Sequence, residues 1–357
     1  MSLSSKAANM LLARCRARYG KRLTAQDIEA LVGCRTVPDC AAYLRNTRYA
    51  DSVRVLSEGN MRRRPFEAAL NEHLLRELHA LCRCEQSVGD WFAEYIIMRT
   101  EIKQITTFIQ LLAAGRQGEM ILKMPEFALQ RSGVDAAKIA ACRTYDDLLE
   151  ALRRSRFHRV LRALRPLPGN RPDCALIEHA LYAGFFERVL EMIDSHAGSA
   201  REELREIICT QMDILNFTYI YRLKKYYGAD PAAVRTMLFP SEYRISSRVL
   251  RDMIEASDAD TAVEIFLERT PYGRHIDRDA LTKAGGPEGA ARMLLHSRAR
   301  RLMRFSVNPA TVLLAYIIMA ELEVHDLNAI VEGVFYGLPR EEILELIIID
   351  KLADQAG

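Results

Sequence analysis

The sequence predicts an all-α chain built from three similar helical domains. Three observations carry that prediction. Nearly every long segment places its apolar residues at helical spacing, no run shows the alternation of a half-buried strand, and two short markers recur three times in step.

Along the chain, Thr24 is a cap-like residue ahead of AQDIEALVG, where a first short helix is expected. In DWFAEYIIMRTEIKQITTFIQLLAAG, apolar residues fall at 91, 92, 95, 96, 102, 105, 109 and 112, the face of a long helix, and Gly115 stops it. Asp173 precedes CALIEHALYAGFFERVLEMI, a further helix. REELREIICTQMDILNFTYIYRLKKYYG is a second long helix ending near Gly228. The third, NPATVLLAYIIMAELEVHDLNAIVEGVFYG, opens on Asn308 as cap and Pro309 in the first turn, and stops near Gly337.

The first marker is L-x-x-[ST]-x-[YF]. It reads LRNTRY at Leu44, Thr47 and Tyr49, LRRSRF at Leu152, Ser155 and Phe157, and LERTPY at Leu267, Thr270 and Tyr272, so its aromatic recurs after 108 and 115 residues. The second lies inside the long helices. It reads EIKQI with Glu101 and Gln104, DILNF with Asp213 and Asn216, and EVHDL with Glu323 and Asp326, and its first acid recurs after 112 and 110 residues. The acid follows the aromatic by 52, 56 and 51 residues, so the markers move together. Domains are expected over 1–120 with an N-terminal helix, 121–235 and 236–357. The leucine ends an apolar face, the hydroxyl satisfies a helix end or local backbone group, and the aromatic plugs a junction between helices. The second marker puts two polar groups at i and i+3 on one helix face. Bridging of neighbouring helix ends or backbone groups suits them better than acid–base catalysis, which requires convergent carboxylates.

Composition narrows the function classes. The chain has 357 residues, 49% hydrophobic and 27% charged, enough for a large core, and a net charge of +3 falls short of a dedicated nucleic-acid binder. MSLSSKAANMLLARCRARYG breaks into arginines before an apolar region of useful length forms, so no secretory leader is expected. The apolar run 310–320 is cut off by Glu321, well short of the ~20 residues of a membrane span. Eight cysteines with one C-x-C pair (Cys82 and Cys84) fit buried or idle thiols in a reducing compartment. No phosphate loop, dinucleotide fingerprint, nucleophile elbow or histidine set at metal spacing occurs, which argues against an enzyme and implies no cofactor or metal. Basic clusters remain. They are Arg62, Arg63 and Arg64, then Arg153, Arg154, Arg156 and Arg159 in a stretch of seven arginines without an acid over 151–172, then Arg298, Arg300 and Arg301. They are expected as partner contacts, with solvated helix faces as the plain alternative and local protein contact favoured over nucleic acid.

These residues resemble a family, the central-stalk connector of V-type and A-type rotary ATPases, known as the C subunit in bacteria and archaea and the d subunit in eukaryotes. Ala13, Arg14, Arg16, Ala17, Leu23 and Thr24 fit its opening pattern, with Leu12 where the family tends to have Asn. Leu44 to Tyr49 fits its L-x-x-T-x-Y. Glu323, Val324, Leu327, Ile330, Gly333, Gly337, Leu338, Glu341, Glu342 and Ile343 fit its C-terminal pattern, while Asp326 and Asn328 replace the usual Asn and Arg. The resemblance implies a funnel of three helical domains about a pseudo-threefold axis and a non-catalytic rotor part. Its implied partners are the membrane rotor ring of small hydrophobic subunits and the central shaft subunits, with no nucleic acid and no direct membrane span. It implies a place on the cytoplasmic face of the membrane, and a bacterial source is expected. The competing functions are a free helical scaffold that binds a soluble protein or nucleic acid through its arginines, and an all-helical enzyme with an unrecognised site.

Overall fold

Most of the expected caps form, and they set where the helices begin. Thr24, Thr36 and Thr144 each accept a backbone N–H three residues on, and Asp27, Asp39 and Asp147 return the bond to the cap residue's own N–H. Asp135, Asp173, Asp230, Ser246 and Asp258 cap other starts. The computed structural model describes residues 5–56, 63–82, 86–119, 132–241, 243–276 and 286–348. Among them the regular structure is helical throughout, without a strand.

The helices are α1 (Ser5–Tyr19), α2 (Ala25–Val32), α3 (Val37–Leu44), α4 (Ala50–Val53), α5 (Arg63–Cys82), α6 (Gln86–Ala113), α7 (Ala136–Ala141), α8 (Tyr145–Ala151) and α9 (His158–Ala163). Then follow α10 (Cys174–Asp194), α11 (Gly198–Tyr227), α12 (Pro231–Thr236), α13 (Ser247–Glu255), α14 (Ala259–Arg269), α15 (Gly286–Phe305), α16 (Pro309–Tyr336) and α17 (Arg340–Leu346). The long helices α11 and α16 end on Gly228 and Gly337 at φ 55° and 66°, the left-handed conformation that a glycine adopts at little cost. Asn308 stands at the start of α16, but its side chain does not cap. Its amide is drawn instead to the Glu203 carboxylate, at 2.7 Å.

The chain divides into two compact units. One spans residues 78–196. There α6 packs along α10, with Tyr95 against Phe185 at 5.2 Å between ring centroids, and the short helices α7 to α9 lie between them in sequence. The other joins residues 2–77 to 197–357 and is centred on α16, which touches α1, α2, α3, α11, α15 and α17. Residues 310–320 of α16 are buried on every side, so the apolar run read from the sequence is the axis of a core. Among the described residues no helix is long and apolar enough to cross a membrane.

Candidate functional site

Each of the three longest helices buries one acid of the second marker: Glu101 on α6, Asp213 on α11 and Glu323 on α16. A buried carboxylate requires donors, and each finds them in the loop ahead of a short capped helix. Glu101 accepts the backbone N–H of Gly133 at 3.0 Å and the Ser132 hydroxyl at 2.6 Å, just before α7. Asp213 accepts the N–H of Arg244 at 2.9 Å and the Ser241 hydroxyl at 2.7 Å, just before α13. Glu323 accepts the N–H of Leu23 at 3.2 Å, just before α2. The three backbone donors, at 23, 133 and 244, keep the spacing of the markers themselves.

The markers meet, but not within one repeat. Tyr272 donates its hydroxyl to Asp213 at 2.9 Å, and Tyr49 donates to Glu323 at 2.6 Å. The acid of one long helix therefore takes the aromatic of the following copy of the first marker, and the last acid takes that of the first copy. Phe157, the aromatic of the second copy, is buried and has no hydroxyl to donate.

The second position of the acid marker binds backbone further on. Asn216 donates to the carbonyl of Phe239 and accepts its N–H, at 2.9 and 2.7 Å. Asp326 accepts the N–H of Ile348 at 2.9 Å. The two bridges span 23 and 22 residues, so the carboxylate at 326 does the amide's accepting work. Gln104 is partly exposed on α6.

Around each acid lies an arginine that the sequence reading did not connect to it. Two helical turns before the acids stand Glu94, Glu206 and Tyr316. They receive Arg156 at 3.1 Å, Arg244 at 3.1 Å and Arg48 at 3.3 Å. Arg48 also pairs with Glu323 at 2.9 Å and donates to the Tyr49 hydroxyl at 3.0 Å. The seven-residue step was the signal available in the sequence for these partners. Burial pushes all three marker carboxyls above their ordinary range, against the pull of the donors around them. Burial also pushes Tyr49 and Tyr272 up, so both phenols remain donors at neutral pH.

The first marker makes a local turn. Thr47 donates to the carbonyl of Leu44 and accepts the N–H of Tyr49, at 2.8 and 3.2 Å. Ser155 repeats both bonds with Leu152 and Phe157, at 2.7 and 3.3 Å. Thr270 turns back one residue further, to Phe266, and the chain after it passes against the Leu267 backbone at Gly273. Leu44, Leu152 and Leu267 are buried, as their packing role requires.

The arginine clusters divide. Arg153, Arg154, Arg159 and Arg301 are exposed. Arg156 is held by Glu94, and Arg298 is mostly buried beside Glu206 at 3.8 Å. Arg300 lines a cavity. Arg62 lies outside the described residues, as do the side chains of Arg63 and Arg64. Cys84 lies outside them too, and the other seven cysteines are free thiols. Every marker acid has donors, so these sites can fasten loops to helices.

Comparison with known proteins gives a family and relatives. The ATP synthase (C/AC39) subunit family matches residues 11–346. The chain is 22% identical to the C subunit of the A-type ATP synthase of Pyrococcus furiosus, over 94% of this chain and 88% of that one. It is 23% identical to that of Methanosarcina mazei, over 94% and 91%, and 20% identical to that of Archaeoglobus fulgidus, over 95% and 95%. These relatives are archaeal and lend no support to the bacterial source expected from the resemblance.

Proposed function

The chain belongs to the ATP synthase (C/AC39) subunit family, and from that premise we propose that it is the non-catalytic central-stalk connector of a rotary ATPase. It seats on the membrane ring of small hydrophobic subunits, at the cytoplasmic face, and holds the tip of the central shaft. Torque from ATP hydrolysis passes through it to the ring and drives protons or sodium ions across, and synthesis runs the same path in reverse. The observation that carries this reading is a family match running from residue 11 to residue 346.

Two features support it. A connector must resist twist, and buried carboxylates bonded at once to a helix and to a distant loop oppose the sliding of one against the other. The three related domains expected from the sequence, over 1–120, 121–235 and 236–357, would suit a partner built as a symmetric ring. The exposed arginines Arg153, Arg154, Arg159 and Arg301 are the candidates for partner contact.

Membrane vesicles that carry the complex test the reading. Stripped of this chain, they should retain ATP hydrolysis and lose ATP-driven ion uptake, and adding the chain back should restore uptake. Uptake that continues undiminished without the chain overturns it.

A further inference from the structure

A cavity of about 260 Å³ opens in the unit formed by residues 2–77 and 197–357. Four arginines from three places in the sequence line it: Arg22 after α1, Arg48 after α3, and Arg300 and Arg304 on α15. One carboxylate, Glu323, also faces it, but Arg48, Tyr49 and Leu23 already engage that group. Arg22 lies over the Tyr19 ring at 4.3 Å. Among the described residues neither Arg22 nor Arg304 has a carboxylate partner. Arg300 and Arg304 sit one helical turn apart on α15, so both reach the same wall of the cavity.

Two buried nitrogen atoms on the wall lack hydrogen-bond partners. Arg48 is 8% exposed, and its Nε makes no hydrogen bond. The Nδ1 of His296 is likewise buried and unbonded, and burial, with Arg300 and Arg22 nearby, holds this imidazole down to about 4. Arg48 is already matched by Glu323 at 2.9 Å and Glu77 at 3.8 Å, so the charge open to a ligand is that of the exposed Arg22 and Arg304, which a multiply charged anion can engage together.

We propose that this cavity binds a phosphate group. Guanidinium groups that converge from several directions suit a tetrahedral dianion better than a planar monoanion. The apolar side chains of Met319 and Ala320 on the same wall lower the local dielectric and strengthen the attraction. The assignment is independent of the rotary reading. The phosphate is free or belongs to a nucleotide, and the probes distinguish the two.

The test is calorimetric titration of the full chain with sodium pyrophosphate, inorganic phosphate and ADP at constant ionic strength. Saturable one-to-one binding of pyrophosphate or ADP is expected. ADP at least tenfold tighter assigns a nucleotide, and equal or weaker binding assigns free phosphate. The double variant Arg22→Gln, Arg304→Gln should lose at least tenfold in affinity at an unchanged melting temperature. The double variant Arg153→Gln, Arg154→Gln should change it less than twofold. In a folded protein, no saturable binding of any probe, or equal loss in both variants, overturns the proposal. As a second readout, the NMR titration of His296 should move upward when pyrophosphate is present, and an unmoved midpoint counts against the site.

Discussion

The phenol–carboxylate bonds at Tyr49 and Tyr272 are single hydrogen bonds to buried acids, so their removal is measurable. Tyr272→Phe leaves Asp213 with two donors and should cost about 1–3 kcal/mol, read as a shift in denaturant midpoint. Tyr49→Phe should cost at least as much, because Glu323 shares Arg48 with that phenol. Asp213 also predicts a pH dependence. Burial raises its carboxyl above the ordinary 3.8, so the folded chain holds that proton more tightly than the unfolded one. Its contribution is complete below the unfolded value and fades as pH rises through the folded one. The melting temperature of the unaltered chain relative to Asp213→Asn should therefore rise as pH falls from 7 towards the ordinary 3.8, and a constant or shrinking gap contradicts the assignment. The sequence marked these acids by type and spacing. It did not mark their partners, since Tyr49 and Glu323 lie 274 residues apart and only folding joins them.

Backbone geometry gives a graded test at the level of the helices. A Cβ on Gly273 would stand 1.8 Å from the Leu267 carbonyl oxygen, a clash with backbone that cannot relax by a change of side-chain rotamer. Gly228 ends α11 with a positive φ and open space around it. Gly228→Ala should cost about 1 kcal/mol, and Gly273→Ala should cost several-fold more or leave no folded protein. The capping boxes of α3 and α8 are equivalent in kind, so Thr36→Ala and Thr144→Ala should each cost about 1 kcal/mol in thermal unfolding. Long helices were legible because apolar periodicity and terminal glycines act locally. Asn308 was only half legible: its position at the start of α16 follows from local preference, but the choice of Glu203 as its partner is tertiary. The short helices α4, α9 and α12 carry little periodicity of their own and stand where the marker turns and loops put them.

At the scale of the molecule, the all-helical class and the family followed from the order of modest motifs over the whole chain, which no single motif could establish. On the proposed rotary reading, the acids that tie loops to helices carry torque, and loosened ties should weaken coupling before they abolish folding. A chain with Glu101→Gln should then fold, assemble, and pump fewer ions per ATP hydrolysed, which vesicle assays of uptake against hydrolysis would detect. The most direct test of the central claim is native mass spectrometry of the complex captured through this chain from gently solubilised membranes. The rotary reading predicts that ring and shaft subunits appear together with it in one assembly. A chain recovered alone, or with partners from outside a rotary ATPase, would contradict that reading.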